Sequence, residues 1–430
     1  MSAPLRHRPF RNLVIGQTVS ALGDWMATFA MIVLVLDLTG SSAAVGGMLM
    51  LRLLPAVIAG PLATRSVSRW NRRRTMMAMD GVRVVVATLV PLVAHVSWVY
   101  ACAFLLECGG LVFLPARDAS TPDLVDEEDL PAANALILGS SYGTVPLGAA
   151  AFGLLVVLQR ILFGREGFLG GRPYLLVFLV DALSFLVSLA FVRGLRVLDE
   201  APGAAKVAVR ADAVLVGVQQ SASSPPGFLG AFRIPLVRAV LPPTVTVVLG
   251  VGTLFSVGVV FVRGVLHASS AEFGLLIALF GLGAAAGLGL LQLFRARDQL
   301  AVARVAVGLQ GAVVATLSLS PNLPPALLGA AAFGGATAAT LAAGMSVLQA
   351  RLEGAERVQA FAVFHVVIRA GLSLAAFGAG LAVDLVGSVR WPLVGRLQPA
   401  RLVLFCAGLL VLASTTLVRE PRSTTEGASR

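Results

Sequence analysis

Asp24, Arg52, Asp80, Arg83, Glu107 and Asp181 lie within long apolar runs, and so do His365 and Arg369 further along the chain. A charge at the middle of a bilayer costs about 2.5–3.5 kcal/mol on insertion scales, so such residues face a partner or a cavity. Asp80 and Arg83 are three apart and share a helix face, which predicts a structural ion pair. Arg52 has two candidate partners, Asp24 and Glu107. If either carboxylate is left unpaired, it is a group that can carry a proton from one side of a membrane to the other. Asp181 belongs to the same polar pathway or serves only a helix contact. Arg369, four residues after His365, is the basic candidate of the second half. Trp25, beside Asp24, is a candidate cavity residue, whereas Trp98 and Trp391 read as membrane-interface anchors.

The elements that must position these groups follow from composition. The 430 residues are 57% hydrophobic and only 13% charged, against roughly 25% charged for soluble domains. Mean hydropathy is +0.88. A soluble chain of this length could not bury so much apolar surface in one core. Lipid is therefore the solvent for most of it, and about 20 apolar residues make one crossing. Twelve such runs occur, at 12–36, 43–64, 75–96, 98–116, 132–158, 173–192, 237–262, 272–294, 300–320, 324–349, 358–384 and 401–418. Arg6, Arg8 and Arg11 precede a run too long for a signal-peptide core, so it reads as the first span. Cys102, Cys108 and Cys406 all lie in apolar runs, where packing is the expected role.

Basic residues mark the cytoplasmic side of a membrane protein. With the N-terminus placed inside, Arg6, Arg8, Arg11, Arg65, Arg69, Arg72, Arg73, Arg74, Arg117, Arg193, Arg196 and most later arginines fall on that side. Arg160, Arg165, Arg172, Arg263, Arg390, Arg396 and Arg401 fall outside. Both termini are therefore expected in the cytoplasm. The net charge of +11 comes in short clusters between spans, a pattern that argues against nucleic acid, for which one basic face on a soluble fold is expected. The polar segment 194–236 carries "DEAPGAAKVAVRAD" and "SASSPPG", with a short surface helix expected at 211–221. It divides an N-terminal six-helix bundle (1–193) from a C-terminal one (237–430). A six-plus-six arrangement suits folds built from two repeats.

The run "GPLATRSVSRWNRRR" resembles the loop signature G-x-x-x-D-R-x-x-R-R of the major facilitator superfamily, through Gly60, Pro61, Arg69, Arg72, Arg73 and Arg74. Further segments are similar to the branch that holds enterobactin exporters and macrolide efflux proteins. They are "GQTVSALGDW", "LRLLP", "DGVRVV", "FLPARDASTPDLVDEEDLPAANAL" and "QARLEGAERVQAF". "GTVPLGAA", from Gly143 to Ala150, resembles the fifth-span antiporter motif GPxxGG, with Pro146 kept. The resemblance implies an all-α, multi-pass protein of two six-helix bundles in a bacterial cytoplasmic membrane. It implies export of amphipathic small molecules, with possible proton antiport, by a monomer that needs no cofactor and no metal and is not an enzyme.

Two departures bear on this. The family's loop aspartate is Ser68 and its second acid is Asn71, so the arginines lack the acids that latch the cytoplasmic side in relatives. Asp123, Asp126, Glu127, Glu128 and Asp129 are substitute partners for them. Solvation or anionic lipid, worth about 1 kcal/mol per basic residue, is the other reading. Val145, Ala149 and Ala150 replace glycines of the fifth-span motif, though Ala still permits close helix approach. The lost acids also motivate a rival from another class, a non-transporting or uncoupled membrane partner. Two enzyme-like patterns carry little. "GLGAAAG" (Gly281–Gly287) resembles a dinucleotide loop but follows no strand, so helix packing is expected. "DLVDEED" is a single acidic box where Mg²⁺-dependent prenyl transfer needs two.

Overall fold

The structure, a computed structural model, describes residues 3–52, 54–55, 70–164, 167–200, 234–291, 299–352, 354–388 and 398–417. The described residues are mostly helical, with no strand among them. In lipid this is dictated, because a helix satisfies its backbone polar groups within itself. The first stretch holds α1 (Arg8–Thr39), α2 (Ser42–Leu51), α3 (Arg72–Leu89), α4 (Val96–Ser120), α5 (Leu130–Tyr142), α6 (Val145–Phe163), α7 (Leu175–Arg193) and the single turn α8 (Val197–Glu200). The second holds α9 (Pro235–Thr253), α10 (Ser270–Leu291), α11 (Gln299–Ser318), α12 (Leu323–Arg351), α13 (Gly354–Ser388) and α14 (Pro399–Ala413). α9 runs on through two π turns, Leu254–Gly258 and Phe261–Val265. Eleven helical stretches of the described residues are long and apolar enough to cross a membrane, with α2 as a shorter apolar helix. The molecule is an all-α, multi-pass membrane fold, and its spans lie within a few residues of the apolar runs, except that the run 43–64 is described only through Pro55.

Local chemistry sets the helix ends. α1 stops at Gly40, whose φ of +64° only glycine adopts without cost, and its N–H closes the last turn on Leu36 O. Ser41 then caps α2 by accepting from Ala44 N at 3.0 Å. Asn71, the position of a missing acid, caps α3 by accepting from Arg74 N at 2.9 Å. Pro146 sits in the first turn of α6, where its missing N–H is harmless, and this places the break in the fifth span at Gly143–Thr144.

The chain forms two compact units, Met1–Gly217 with Ala268–Ala278, and Val218–His267 with Leu279–Arg430. In the first, α1 packs along α7, and α3 lies against α4 and α7. Gly16 and Gly23 make the α1–α7 approach possible. A Cβ on Gly16 would lie 3.1 Å from Phe191 Cβ, and one on Gly23 would run into Ser184 Oγ and Asp181 Oδ1. A buried cluster that includes Phe10, Leu13, Met76, Phe113 and Val192 fills one end. In the second unit, α11 packs against α12 and α14, and α9 against α13. Gly283 and Gly287 of the glycine-rich run meet the backbone of Ala331 and Gly335, so that run serves helix packing.

Segment 194–236 is described only at its edges. Its first residues, through Glu200, form α8, and the expected helix at 211–221 lies outside the described residues. So do Gly60, Pro61, Arg65, Ser68 and Arg69 of the loop motif, and Trp391. The side chains of His365, Arg369 and Glu127 are likewise not described. Cys102 is buried as expected, but Cys406 is exposed on α14, because that face of the helix looks outward from the bundle. Trp98, expected as an interface anchor, donates its Nε1–H to Leu89 O at 3.1 Å and closes the end of α3.

Candidate functional site

The intramembrane charges of the first half converge inside its bundle in two layers. One layer is open to the surface. Arg52, just past α2, pairs with Glu107 of α4 at 3.0 Å, and its Nη1 donates to Thr28 Oγ1 at 2.6 Å. Their side chains are 25% and 35% exposed. Of the two sequence candidates, Glu107 is therefore the partner of Arg52. Asp24 is half-buried on the same bundle, and no hydrogen bond or ion pair reaches its carboxylate among the described residues. The charges of Arg83, Arg52 and Glu107 all act on it. Trp25 follows, stacked on Phe29 at 6.1 Å, with its Nε1 donating to Ser141 O at 3.0 Å.

The other layer is closed. Asp80 and Asp181 are 0% exposed and Arg83 is 5% exposed. Arg83 Nη1 lies 3.8 Å from Asp80 Oδ1, as the three-residue spacing predicts. Its guanidinium stands between the rings of Phe113 and Phe185, 5.2 Å from each centroid, a cation–π arrangement. Gly109 and Gly110 of α4 provide the space. A Cβ on Gly110 would sit 2.7 Å from Arg83 Nη2. Asp181, on α7, has neither carboxylate oxygen hydrogen-bonded among the described residues. Thr28, Gly109, Gly110, Phe113 and Phe185 carry no charge, so a search for intramembrane charges passes over them. The Gly-Gly pair beside Glu107 was the available signal.

At the end of the bundle where α3 starts, Arg72 and Arg73 of the arginine cluster are engaged within their own unit. Arg72 bonds Asp123 at 2.6 Å and also donates to Ala119 O. Arg73 bonds Asp199 of α8 at 2.7 Å and donates to Arg193 O at 2.7 Å. Asn71 Nδ2 donates to the same Asp199 at 3.0 Å. Arg74 is exposed. Of the acids expected as partners, Asp123 takes that role, while Asp126 and Asp129 face His7 at 3.6 and 3.5 Å. Asp199 was hidden in the sequence because it falls in the segment read as linker.

The hydrogen bonds from Arg73 and Asn71 hold the Asp199 carboxyl below its ordinary value of 3.8. A carboxylate lowered by folding stabilises the fold above its unfolded value, and that stabilisation fades as the pH falls through the lowered one. Asp199→Asn should therefore flatten the acid limb of the thermal-stability profile and leave the neutral plateau almost unchanged, because the site is exposed and screened. An acid limb identical to that of the wild type would assign the acid sensitivity to other groups.

Comparison with known proteins matches this architecture. A Bacillus subtilis (strain 168) protein described as an uncharacterized MFS-type transporter, YfiS, is 25% identical over 130 residues, which is 30% of this chain and 31% of that protein. The match thus spans about a third of the length of that curated relative. A bacterial homologue of the iron transporter ferroportin in its inward-facing state has a TM-score of 0.71 at 13% identity, covering 96% of this chain and 99% of that one. A D-xylose–proton symporter gives 0.69 at 13% identity, covering 97% and 99%. At such identities the likeness is one of fold. The model of the Major Facilitator Superfamily matches residues 13–263, more than half of the chain, and with the helical architecture already described this places the chain in that superfamily.

Proposed function

We propose that the protein is a secondary transporter of a bacterial cytoplasmic membrane, with both termini cytoplasmic, that exports amphipathic small molecules in exchange for protons. The observation that carries this reading is the open polar layer, in which Arg52, Glu107 and Thr28 are tied together and Asp24 is left without a partner. Charges are kept at membrane depth where they serve a pathway, and a purely structural set would be paired off and closed. Asp24, Trp25, Arg52, Glu107, Asp181 and Arg369 are the proposed pathway residues, and Asp80 with Arg83 the structural pair. The break at Gly143–Thr144 and Pro146 leaves a discontinuous helix, a feature that transporters use near binding sites. Residues 1–193 and 237–430 act as the two bundles joined by the 194–236 linker. The re-partnered arginines weaken the rival reading of a non-transporting partner, since Asp123 and Asp199 supply acids in place of those lost at Ser68 and Asn71.

The test is accumulation of a panel of fluorescent dyes and antibiotics in everted vesicles. Uptake that requires this protein and collapses with a protonophore is expected. If no compound accumulates in vesicles that hold folded protein, the transporter reading gives way to the partner reading. Accumulation indifferent to the protonophore would leave an uncoupled facilitator.

A further inference from the structure

We propose that the first unit, at the end where α3 starts, carries a seat for one anionic phospholipid headgroup, built from Arg74, Arg193 and Arg196 with Trp70 and Val197 beside them. This goes beyond the transport reading and does not depend on it. Helix length sets the depth of the seat. α7 is an apolar span of 19 residues, about 28 Å at 1.5 Å per residue, against a hydrocarbon core about 30 Å thick. Its last residue, Arg193, therefore stands at headgroup level. Contacts bring the other members to the same place. Arg73 of α3 donates to Arg193 O at 2.7 Å and bonds Asp199 at 2.7 Å. Asp199 N in turn donates to Arg196 O at 2.9 Å. Asn71 bonds that Asp199 at 3.0 Å and caps Arg74 N at 2.9 Å, and Trp70 directly precedes it. Leu195 and Leu198 are buried in one cluster with Met76 of α3, which leaves Arg196 and Val197 exposed.

Charge complementarity selects the occupant. Asp199 is already held by Arg73 and Asn71, and Asp123 by Arg72. Arg74, Arg193 and Arg196 are exposed and form no ion pair among the described residues. Three such cations gathered at a membrane surface repel one another, and one anionic phosphodiester offsets that repulsion. Guanidinium groups also match phosphate oxygens in geometry. The apolar members decide between lipid and a free anion. Trp70 is 54% exposed, and Val197 is exposed too. A free phosphate gives these side chains no contact. A lipid does, because aromatic rings settle at headgroup level and aliphatic groups meet the first acyl carbons.

Native mass spectrometry of the full-length protein in a neutral detergent, titrated with phosphatidylglycerol or with phosphatidylcholine, tests the seat. The wild type should retain its first phosphatidylglycerol about tenfold more tightly than phosphatidylcholine. Arg74→Gln, Arg193→Gln and Arg196→Gln should each lower that preference by about two- to fivefold. The three together should abolish it, whereas the corresponding triple lysine variant should keep most of it. Arg160→Gln is the control. Arg160 is an exposed arginine at the opposite end of α7, since its neighbour Gln159 accepts from Leu176 N at 2.9 Å, and its loss should leave the preference unchanged. Equal retention of both lipids by the wild type overturns the proposal. So does a preference kept by the triple glutamine variant, or one lost equally in Arg160→Gln. Displacement of phosphatidylglycerol by millimolar inorganic phosphate also overturns it, since the seat would then serve free anions. The three arginine side chains make no hydrogen bond among the described residues, so the variants should fold. If the triple variant does not, the three single variants decide by the same readings: a preference lowered in them supports the seat, and one unchanged in all three overturns it.

Discussion

Asp24→Asn is expected to abolish proton-driven uphill transport, by more than about tenfold or about 1.4 kcal/mol, while folded yield stays near that of the wild type. The structure separates these two outcomes. Arg52 is held by Glu107 at 3.0 Å and by Thr28, so loss of the Asp24 charge strands no cation. Thr28 Oγ1 bonds the backbone oxygen of Asp24 at 2.7 Å, and that bond survives the substitution. Asn has the shape of Asp, and the α1–α7 approach depends on Gly16 and Gly23. Downhill exchange of substrate should persist, because the site keeps its form and loses only the group that carries the proton. Glu107→Gln behaves differently. It frees Arg52 in a part-exposed site, lowers folded yield modestly, and is rescued by Arg52→Gln in the same chain. Gradient-driven pumping by Asp24→Asn at the wild-type rate would take the carrier role from Asp24 and make Glu107 the next candidate.

Arg83→Gln should have the largest effect on stability. Asp80 is 0% exposed, and Arg83 is its nearest cation. Removing one partner of a buried pair leaves an uncompensated charge, at a cost of about 3–5 kcal/mol. The guanidinium also fills the space between Phe113 and Phe185 above Gly109 and Gly110, so its loss opens a gap in the core as well. Folded yield and detergent melting temperature should both fall sharply. Asp80→Asn combined with Arg83→Gln should recover most of the loss, since no bare charge remains. A double variant as unstable as the single one would show that packing between the rings, and not charge compensation, is what Arg83 supplies. Gly110→Ala offers an independent check. Its Cβ would stand 2.7 Å from Arg83 Nη2, and overpacking of this kind costs about 1–3 kcal/mol.

The sequence by itself determined the solvent, the helices and the depth of the charges. Transfer from water to lipid is a sum over consecutive residues, so an apolar run such as 173–192 reports its own crossing, and the helix Leu175–Arg193 follows from the backbone's need for internal hydrogen bonds. Local periodicity likewise gave the Asp80–Arg83 pair, because three residues along a helix fix a shared face wherever that helix packs. Only the tertiary structure decided which distant charges meet. Arg52 had two chemically equivalent partners in the sequence, and the packing of α4 beside the end of α2 selected Glu107, leaving Asp24 bare. Arg72 and Arg73 had a whole acidic loop to choose from, yet Arg72 took Asp123 there and Arg73 took Asp199 of α8. Gly23, Gly109 and Gly110 read as ordinary small residues until α7 and Arg83 were seen to occupy the space that their missing side chains leave. Charge and hydropathy are properties of single residues and accumulate along the chain, whereas pairing depends on which helix faces which, and that is set by the packing of the whole bundle.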